Sequence, residues 1–312
     1  MTLDVNSGTE EEVQARLFKH FLQHERITED IYYHYCSTET FRLICETKSL
    51  RFSDINMMND YAEHAYGYEI FEEAATRLLR LESKPEGLDG LDEAFMRSVD
   101  DIISPMQLFI HPVMCSFSKR PDVLSQWRSY ADDGRGVAIG FSSSCFAKMP
   151  VSLMNVEYDR ETQIAEMTAI LAALYDVERA GGHKRAKDFR GKCQEIAVYK
   201  LAFKNPAFFE EQEVRSLHLL KVERENGTGK LVDPGRDLNG KEIKGEPVKF
   251  RTRDGLLIPY IDIPFVVSKD DQPIVEVWLG PKNENADWNF AYLMNSNGFG
   301  GYKVMRSAAS YR

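Results

Sequence analysis

The chain has 312 residues, 43% of them hydrophobic, and a formal net charge of −10. This hydrophobic content is enough for a well-filled core in one large domain or two small ones. An acidic balance disfavours non-specific binding of nucleic acid by the whole surface, although a local basic patch could still bind it. The first residues are acidic and polar, and no apolar run reaches membrane-spanning length, so we expect a cytoplasmic protein without a membrane segment.

Residues 1–29 are predicted to form a polar tail and a peripheral helix over 10–24, and residues 30–312 a single domain with helical insertions. His20 and His24 lie four apart on that helix, where a solvated helix face is the favoured interpretation over a metal site. The five cysteines are scattered and form no C-x-x-C pair, which predicts buried, reduced thiols. We expect no metal site.

The remaining elements follow from periodicity and turn residues. Strands and helices are mixed without the regular alternation of a doubly wound fold, which predicts the α+β class. The predicted elements are strands within 30–37, 50–54, 111–118, 137–141, 152–159 and 203–220, a hairpin over 248–265, strands over 274–282 and 302–312, and helices over 38–50, 61–80, 91–105, 124–133, 160–200 and 285–299.

The stretch from Met114 to Phe141 combines apolar strands with polar and aromatic side chains, as the wall of a small-molecule pocket does. Ser116 and Ser118 are two apart on a strand and therefore share one face. Trp127 and Tyr130 are spaced either to stack on a ligand or to pack in the core, and the spacing leaves both open.

Two further stretches carry groups that could do chemistry. His34 lies within an aromatic strand, where its ring nitrogens need partners, and a satisfied core histidine is the alternative. Glu211, Glu213 and Arg215 alternate along a predicted strand, so they are expected to share one face, with Arg215 as the cation between the carboxylates. The alternative is an edge strand whose charges prevent aggregation.

Other chemistries lack their motifs. No G-x-G-x-x-G sequence opens a β-α-β unit, no Walker loop is present, and no G-x-S-x-G elbow occurs.

The order of the histidine strand, the S-F-S strand and the E-x-E segment resembles the ADP-ribosyltransferase superfamily. More closely, the chain resembles a bacterial family of uncharacterised domains that is often met in phage-defence loci. The residues that carry the resemblance are Tyr33-His34-Tyr35, Phe52 with Asp54, Asn59-Asp60 with Glu63, Ser116 to Phe141, and Glu211 to Arg215. The resemblance implies a split two-sheet core with peripheral helices that holds NAD in the cleft between the sheets.

The resemblance also implies roles for individual residues. His34 matches the residue that holds the adenosine-side ribose or the nicotinamide amide, and Ser116 and Ser118 match the motif that supports the nicotinamide side. This chain has S-F-S where the superfamily has S-T-S. Tyr130 is expected to stack on the cofactor, and Arg128 to hold a phosphate or a neighbouring carboxylate. The residues expected to bind NAD are therefore His34, Tyr35, Ser116, Ser118, Arg128 and Tyr130.

The two carboxylates are implied to be catalytic. Glu213 matches the residue that binds the 2′-hydroxyl of the nicotinamide ribose, and Glu211 the one that orients or deprotonates the acceptor. The implied function is an NAD-dependent mono-ADP-ribosyltransferase, a toxin or anti-phage effector that modifies nucleic acid, with RNA favoured, and that needs a neutralising antitoxin partner. The basic clusters over 183–192 and 241–253 motivate a nucleic-acid acceptor, although the net charge argues against one and a solvated helix face is the favoured interpretation of 183–192. A protein acceptor and a non-catalytic nucleotide-binding sensor are the alternatives.

Overall fold

The computed structural model of the chain describes residues 24–25, 27–55, 61–85, 87–108, 110–180, 182, 187–235, 242–266 and 271–311. Its fold is a large mixed sheet with several helices, which confirms the α+β class. The described strands are β1 (Ile31–Cys36), β2 (Ser49–Asp54), β3 (Ile110–Ser118), β4 (Val137–Ser142), β5 (Ser152–Asn155), β6 (Glu213–Glu225), β7 (Thr228–Val232), β8 (Lys249–Arg253), β9 (Leu256–Pro264), β10 (Ile274–Leu279) and β11 (Lys303–Arg306). The described helices are α1 (Thr38–Thr47), α2 (Tyr61–Leu79), α3 (Glu93–Ile103), α4 (Leu124–Tyr130), α5 (Ser143–Phe146), α6 (Arg160–Ala180), α7 (Lys187–Tyr199) and α8 (Asp287–Ser296).

The described strands belong to one branched sheet. Its main path runs β11-β10-β4-β1-β3-β2-β9-β8, and β6 pairs with β3 and also with β5 and β7. The pairs β1–β4, β1–β3, β2–β3 and β2–β9 are antiparallel, whereas β10 and β11 run parallel. Strand β3 is therefore the branch point of the sheet. Whether this sheet matches the split core of the ADP-ribosyltransferases stays a prediction.

The chain divides into two compact units. The helical unit contains α2, α3, α6 and α7, from the segments around 59–111 and 156–206. The sheet unit is built from 27–58, 112–155 and 207–312 and contains the other described helices and nearly all of the sheet. The core of the sheet unit is rich in buried aromatic rings, among them Phe41, Phe52, Phe117, Phe141 and Phe265.

The helical unit contains a buried polar cluster around α6. Glu166 accepts hydrogen bonds from His24 Nε2 at 2.8 Å and from the Tyr199 hydroxyl at 3.3 Å. His24 is only 6% exposed, so the expectation that it lies on a solvated helix face is wrong. The reason is that the carboxylate of Glu166 gives its ring a buried partner. The rest of the predicted helix over 10–24, including His20, lies outside the described residues.

Local signals predicted several elements well. The Asp254-Gly255 turn between β8 and β9 has positive φ angles at both residues, 51° and 80°, as a two-residue hairpin loop requires. The aromatic strand β1 and helix α1 lie where periodicity placed them. The predicted helical region over 160–200 is two helices, α6 and α7. The predicted strand within 203–220 begins only at Glu213, after a 3₁₀ turn over Pro206–Glu211.

Candidate active site

The candidate site lies in the sheet unit, where β1, β3 and β6 are neighbours. Tyr33 of β1 pairs with Ser118 of β3. Just beyond β3, the Lys119 amide donates to the carbonyl oxygen of Gln212, which immediately precedes β6. Because neighbouring strands are about 4.8 Å apart, these pairings bring the histidine strand, the S-F-S strand and the two carboxylates to one region of the sheet.

One ring nitrogen of His34 is hydrogen-bonded within the sheet. Its Nδ1 lies 3.0 Å from the carbonyl oxygen of Ser116, and a carbonyl can only accept, so Nδ1 carries the hydrogen and Nε2 carries a lone pair. Burial lowers the pKa of His34, an effect that the bond to Ser116 opposes only in part. The imidazole is therefore neutral near pH 7.

The two serines of the S-F-S strand differ in their availability. Ser118 is 1% exposed, and its Oγ accepts the Arg120 amide at 3.2 Å, so this side chain stabilises the turn after β3. Ser116 is half-buried and uses its carbonyl oxygen to hold His34. Strand β3 therefore contributes a backbone carbonyl, which holds His34, and a serine side chain, which holds the following turn.

Tyr35 has both of its hydroxyl bonds satisfied inside the protein. The hydroxyl donates to the Arg120 carbonyl at 2.9 Å and accepts from the Val123 amide at 3.0 Å, and the ring packs edge-on against Trp127. Burial raises the pKa of Tyr35. This residue holds the turn between β3 and α4, and its hydroxyl has no free bond to give a cofactor.

Asp122 joins the site region to the C-terminal segment. Its Oδ1 accepts from the Trp127 indole nitrogen at 2.6 Å and from the Ser307 hydroxyl at 2.5 Å, and its Oδ2 accepts from the Ala308 amide at 2.9 Å. Trp127 is fully buried. Its indole is thus a packing and positioning group, which assigns it to the core rather than to a ligand.

The loop that follows α4 needs unusual backbone geometry. Asp132, Asp133 and Gly134 all have positive φ angles. At Gly136, a Cβ atom would lie 2.1 Å from the carbonyl oxygen of Cys36, so only glycine fits there. These residues bring the chain tightly back onto β1.

The far side of that loop is held by the C-terminal tyrosine. Asp133 accepts from the Tyr311 hydroxyl at 2.5 Å and from Lys282 at 2.9 Å. The guanidinium carbon of Arg128 lies 5.7 Å from the centre of the Tyr311 ring. Arg128 is exposed, and its described contact is this ring rather than a carboxylate.

Glu211 does not lie on the strand, and the prediction that it shares a strand face with Glu213 and Arg215 is wrong. It ends the 3₁₀ turn over Pro206–Glu211, and the next residue, Gln212, has a φ of 43°. A non-glycine residue in the left-handed region costs on the order of 1 kcal/mol or more and persists only where surrounding contacts hold it. The bonds from the Gln212 amide to the Phe209 carbonyl and from Lys119 to Gln212 are such contacts.

The Glu211 carboxylate is held by Tyr130. The Tyr130 hydroxyl donates to Oε1 of Glu211 at 3.1 Å. Glu211 is 8% exposed, whereas Tyr130 is 45% exposed. The phenol that was expected to stack on a cofactor therefore orients a carboxylate, and its ring still has an exposed face.

Glu213 and Arg215 form a buried ion pair, as their spacing on the strand predicted. Arg215 Nη2 lies 3.0 Å from Glu213 Oε2, and the side chains are 1% and 6% exposed. Charge-assisted hydrogen bonds of this kind fix orientation strongly once water is excluded. The Glu213 carboxylate is consequently a fixed negative group at the start of β6.

The structure thus brings together all three sequence stretches that were singled out, but it divides their residues by role. Glu211 and Glu213 are carboxylates held by Tyr130 and Arg215, His34 is held by the Ser116 carbonyl, and Tyr35 and Ser118 hold turns. Sequence reasoning missed Asp122, for which the K-R-P-D turn gave no signal that the carboxylate serves three partners.

Some candidate chemistries find no support in the described residues. Among the described residues, no group of three or more His, Cys, Asp or Glu side chains could hold a metal ion. No helix in the described part of the chain is long and apolar enough to cross a membrane. All five cysteines are buried and unpaired, which confirms the prediction from their spacing.

Comparison with known proteins adds one partial match. A family model described as a protein of unknown function (DUF2971) matches residues 126–216. The matched range begins in α4 and ends in β6, so it includes Tyr130, Glu211, Glu213 and Arg215 but neither His34 nor the S-F-S strand. No curated protein and no solved structure matches the chain.

Proposed function

We propose that the protein is an NAD-dependent mono-ADP-ribosyltransferase whose acceptor is nucleic acid, with RNA favoured. The observation that carries the proposal is the pair Glu211 and Glu213. The two carboxylates are two residues apart, each is held by a hydrogen-bond donor, and a left-handed residue between them sets their directions. Left-handed non-glycine residues are costly, and they cluster at active sites and ligand-binding sites.

The chemistry uses the two carboxylates in different ways. The bond between nicotinamide and ribose C1′ breaks, and its electron pair leaves with nicotinamide, so positive charge develops on the sugar. Glu213, fixed by Arg215, stabilises that charge, which exists only in the transition state. A nucleophilic atom of the acceptor then bonds to C1′, and Glu211 takes the proton that this atom releases.

His34 supplies recognition in this scheme. Its Nε2 lone pair can accept a hydrogen bond from a ribose hydroxyl or from the nicotinamide amide. Since burial keeps the ring neutral, it adds no positive charge to a site that must stabilise a developing cation. His34→Ala should therefore raise the KM for NAD more than it lowers kcat.

The direct test is NAD consumption by the purified protein. Glu213→Gln and Glu211→Gln are each expected to lower the rate on the order of 100- to 1000-fold. Glu223→Gln is the matched control, because Glu223 is on the same strand but its side chain is 55% exposed. Thermal melts of every variant separate lost chemistry from lost folding. If wild type releases no nicotinamide with RNA, DNA or protein present, the proposal is wrong.

A second arm of the experiment identifies the acceptor. Cell lysate is incubated with the protein and NAD labelled in its adenine, and then treated with nuclease or with protease. Loss of label with nuclease alone supports a nucleic-acid acceptor. Loss with protease alone means that the acceptor is protein, which was the alternative from the sequence.

A non-catalytic nucleotide-binding domain is the second candidate. The observation that favours it is the buried Glu213–Arg215 pair, because a carboxylate neutralised by a guanidinium has less charge to offer a cationic transition state. This candidate predicts NAD binding in calorimetry without release of nicotinamide, and no loss of binding in Glu211→Gln.

The proposed activity is also consistent with a toxin or anti-phage effector that a partner protein neutralises. Expression of wild type from an inducible promoter is then expected to arrest growth, whereas Glu211→Gln at equal protein level is not. Equal growth with the two proteins contradicts the toxin role and leaves the enzymatic test unaffected.

A further inference from the structure

A row of cations lies on the outward face of the sheet at its β8 edge. In β2, Leu50 and Phe52 point into the core, so Arg51 and Ser53 lie on the opposite face, where Arg51 is exposed and Ser53 is buried. The register pairs Arg51 with Asp262 and Ser53 with Tyr260. Residues opposite each other in an antiparallel pair share a face, so the outward face of β9 is known as well.

Strand β8 adds three cations to the same face. Lys249 pairs with Tyr260, and Arg251 and Arg253 follow at two-residue intervals. Alternate residues of a strand are about 6.7 Å apart, so these three side chains form a row roughly 13 Å long. We name Arg51, Lys249, Arg251 and Arg253 the cationic face.

The charges of the cationic face are only partly balanced. Asp262 bridges Arg51 at 3.0 Å and Lys249 at 3.1 Å, so one carboxylate serves two cations. Arg253 lies 3.6 Å from Asp254, whose side chain is 85% exposed, and contacts of this kind contribute little. The four cations therefore have two nearby carboxylates between them, and Arg251 has no ion pair among the described residues.

Arg251 is the group that distinguishes this face from a simply solvated edge. It is half-buried, its Nη2 donates to the neutral hydroxyl of Ser53 at 3.2 Å, and its Nε is buried without a hydrogen-bond partner among the described residues. Burial lowers the pKa of Arg251, and so does repulsion from Arg51 and Arg253. Cations that merely block edge-to-edge association stay in water, whereas this one is half-buried beside like charges.

We propose that the cationic face binds the phosphodiester backbone of a single-stranded nucleic acid. An anion close to Arg251 would offset the repulsion from Arg51 and Arg253. A linear row of regularly spaced cations suits a linear, regularly spaced polyanion better than a single phosphate group, which needs donors that converge on one point. The inference rests on the proposed function for its biological use, because the cationic face would be the surface on which the acceptor of that reaction binds. Binding of the nucleic acid itself needs no NAD.

The test measures binding of a labelled 20-nucleotide RNA of mixed sequence by fluorescence anisotropy, without NAD. Each phosphate that a protein cation neutralises on a single strand adds about 0.7 to the steepness of the fall of log association constant with log salt concentration. At 0.1 M salt this corresponds to about fivefold in affinity. Arg251→Gln/Arg253→Gln is therefore expected to bind about 25-fold more weakly, with a slope smaller by about 1.4.

The control removes the same charge elsewhere. Lys230→Gln/Lys303→Gln also lowers the net charge by two, at exposed positions on β7 and β11. It is expected to bind within about twofold of wild type. If both double variants weaken binding equally, the effect is one of overall charge and the proposal is wrong. The single variant Arg253→Gln, at an exposed position, keeps the test valid if Arg251→Gln alters folding.

Two further arms settle the ligand. If inorganic phosphate at millimolar concentration displaces the RNA completely and itself binds as tightly, the site takes a single phosphate and the proposal fails. If a phosphoserine peptide binds and the RNA does not, the partner is a protein and the proposal fails. Because the binding assay contains no NAD, its result stands or falls separately from the result for NAD consumption.

Discussion

The buried pair of Glu213 and Arg215 allows the sharpest test of the site's construction. Both side chains are almost completely shielded from water, and Arg215 lies opposite Met154 of β5 and next to the fully buried Val214. Arg215→Met keeps an unbranched apolar stem but removes the guanidinium that is paired with the buried Glu213 carboxylate. Removing one partner of a buried ion pair costs about 3–5 kcal/mol, because the remaining charge has lost its compensation.

The companion variant replaces both charges. Glu213→Leu/Arg215→Met buries no charge, and replacement of a buried pair by apolar groups of similar volume is often neutral or stabilising. We therefore expect the double variant to lie within about 1–2 kcal/mol of wild type, although it has lost one of the proposed catalytic groups. A recovery of stability without recovery of activity would separate the two roles of Glu213.

Urea unfolding followed by tryptophan fluorescence is the assay. All three tryptophans, Trp127, Trp278 and Trp288, belong to the sheet unit, so the signal reports the unit that contains the pair. With an m value of about 3 kcal/mol per M, the single variant should shift the midpoint down by about 1–2 M. A loss below about 1 kcal/mol would mean that the pair behaves as a solvated one, and the argument from burial would be refuted.

Three further predictions concern other parts of the sheet unit and the helices. Gly136→Ala should lower the free energy of unfolding by about 3 kcal/mol or more, because the backbone must move to make room for the Cβ atom. Gly191→Ala should raise it by about 0.5–1 kcal/mol, because Gly191 lies inside α7 and nothing is within 4 Å of the new Cβ. Thermal melts of the two variants test both expectations. Both ring nitrogens of His218 face acceptors; burial lowers the pKa of His218, but the bonds to Asp233 and Pro150 outweigh it and raise the pKa. Wild type should therefore lose stability relative to His218→Asn as the pH rises above about 6.5, and unfolding curves from pH 5 to 9 would show this. A stability difference that does not change with pH would contradict the prediction. Asp122→Ala should free the C-terminal segment, seen as faster hydrogen exchange at residues 307–311, and unchanged exchange there would show that the carboxylate does not hold it.

Local patterns were enough to predict the elements that depend on neighbouring residues. The alternation in β1, the Asp254-Gly255 hairpin and helix α1 follow from side-chain periodicity and from turn residues, whose effects act within a few positions. The same reasoning identified Glu213 and Arg215 as partners, because residues two apart on a strand necessarily share a face. The α+β class followed from the order of these elements.

Contacts between distant segments needed the tertiary structure. Tyr130 reaches Glu211 across 81 positions, and Arg251 reaches Ser53 across 198. Glu211 leaves the strand because Gln212 adopts a left-handed conformation, which contacts with Lys119 and Phe209 hold in place. Sequence periodicity carries no information about such a residue, since its conformation is set by strands whose pairing and register are decided only when the whole sheet assembles.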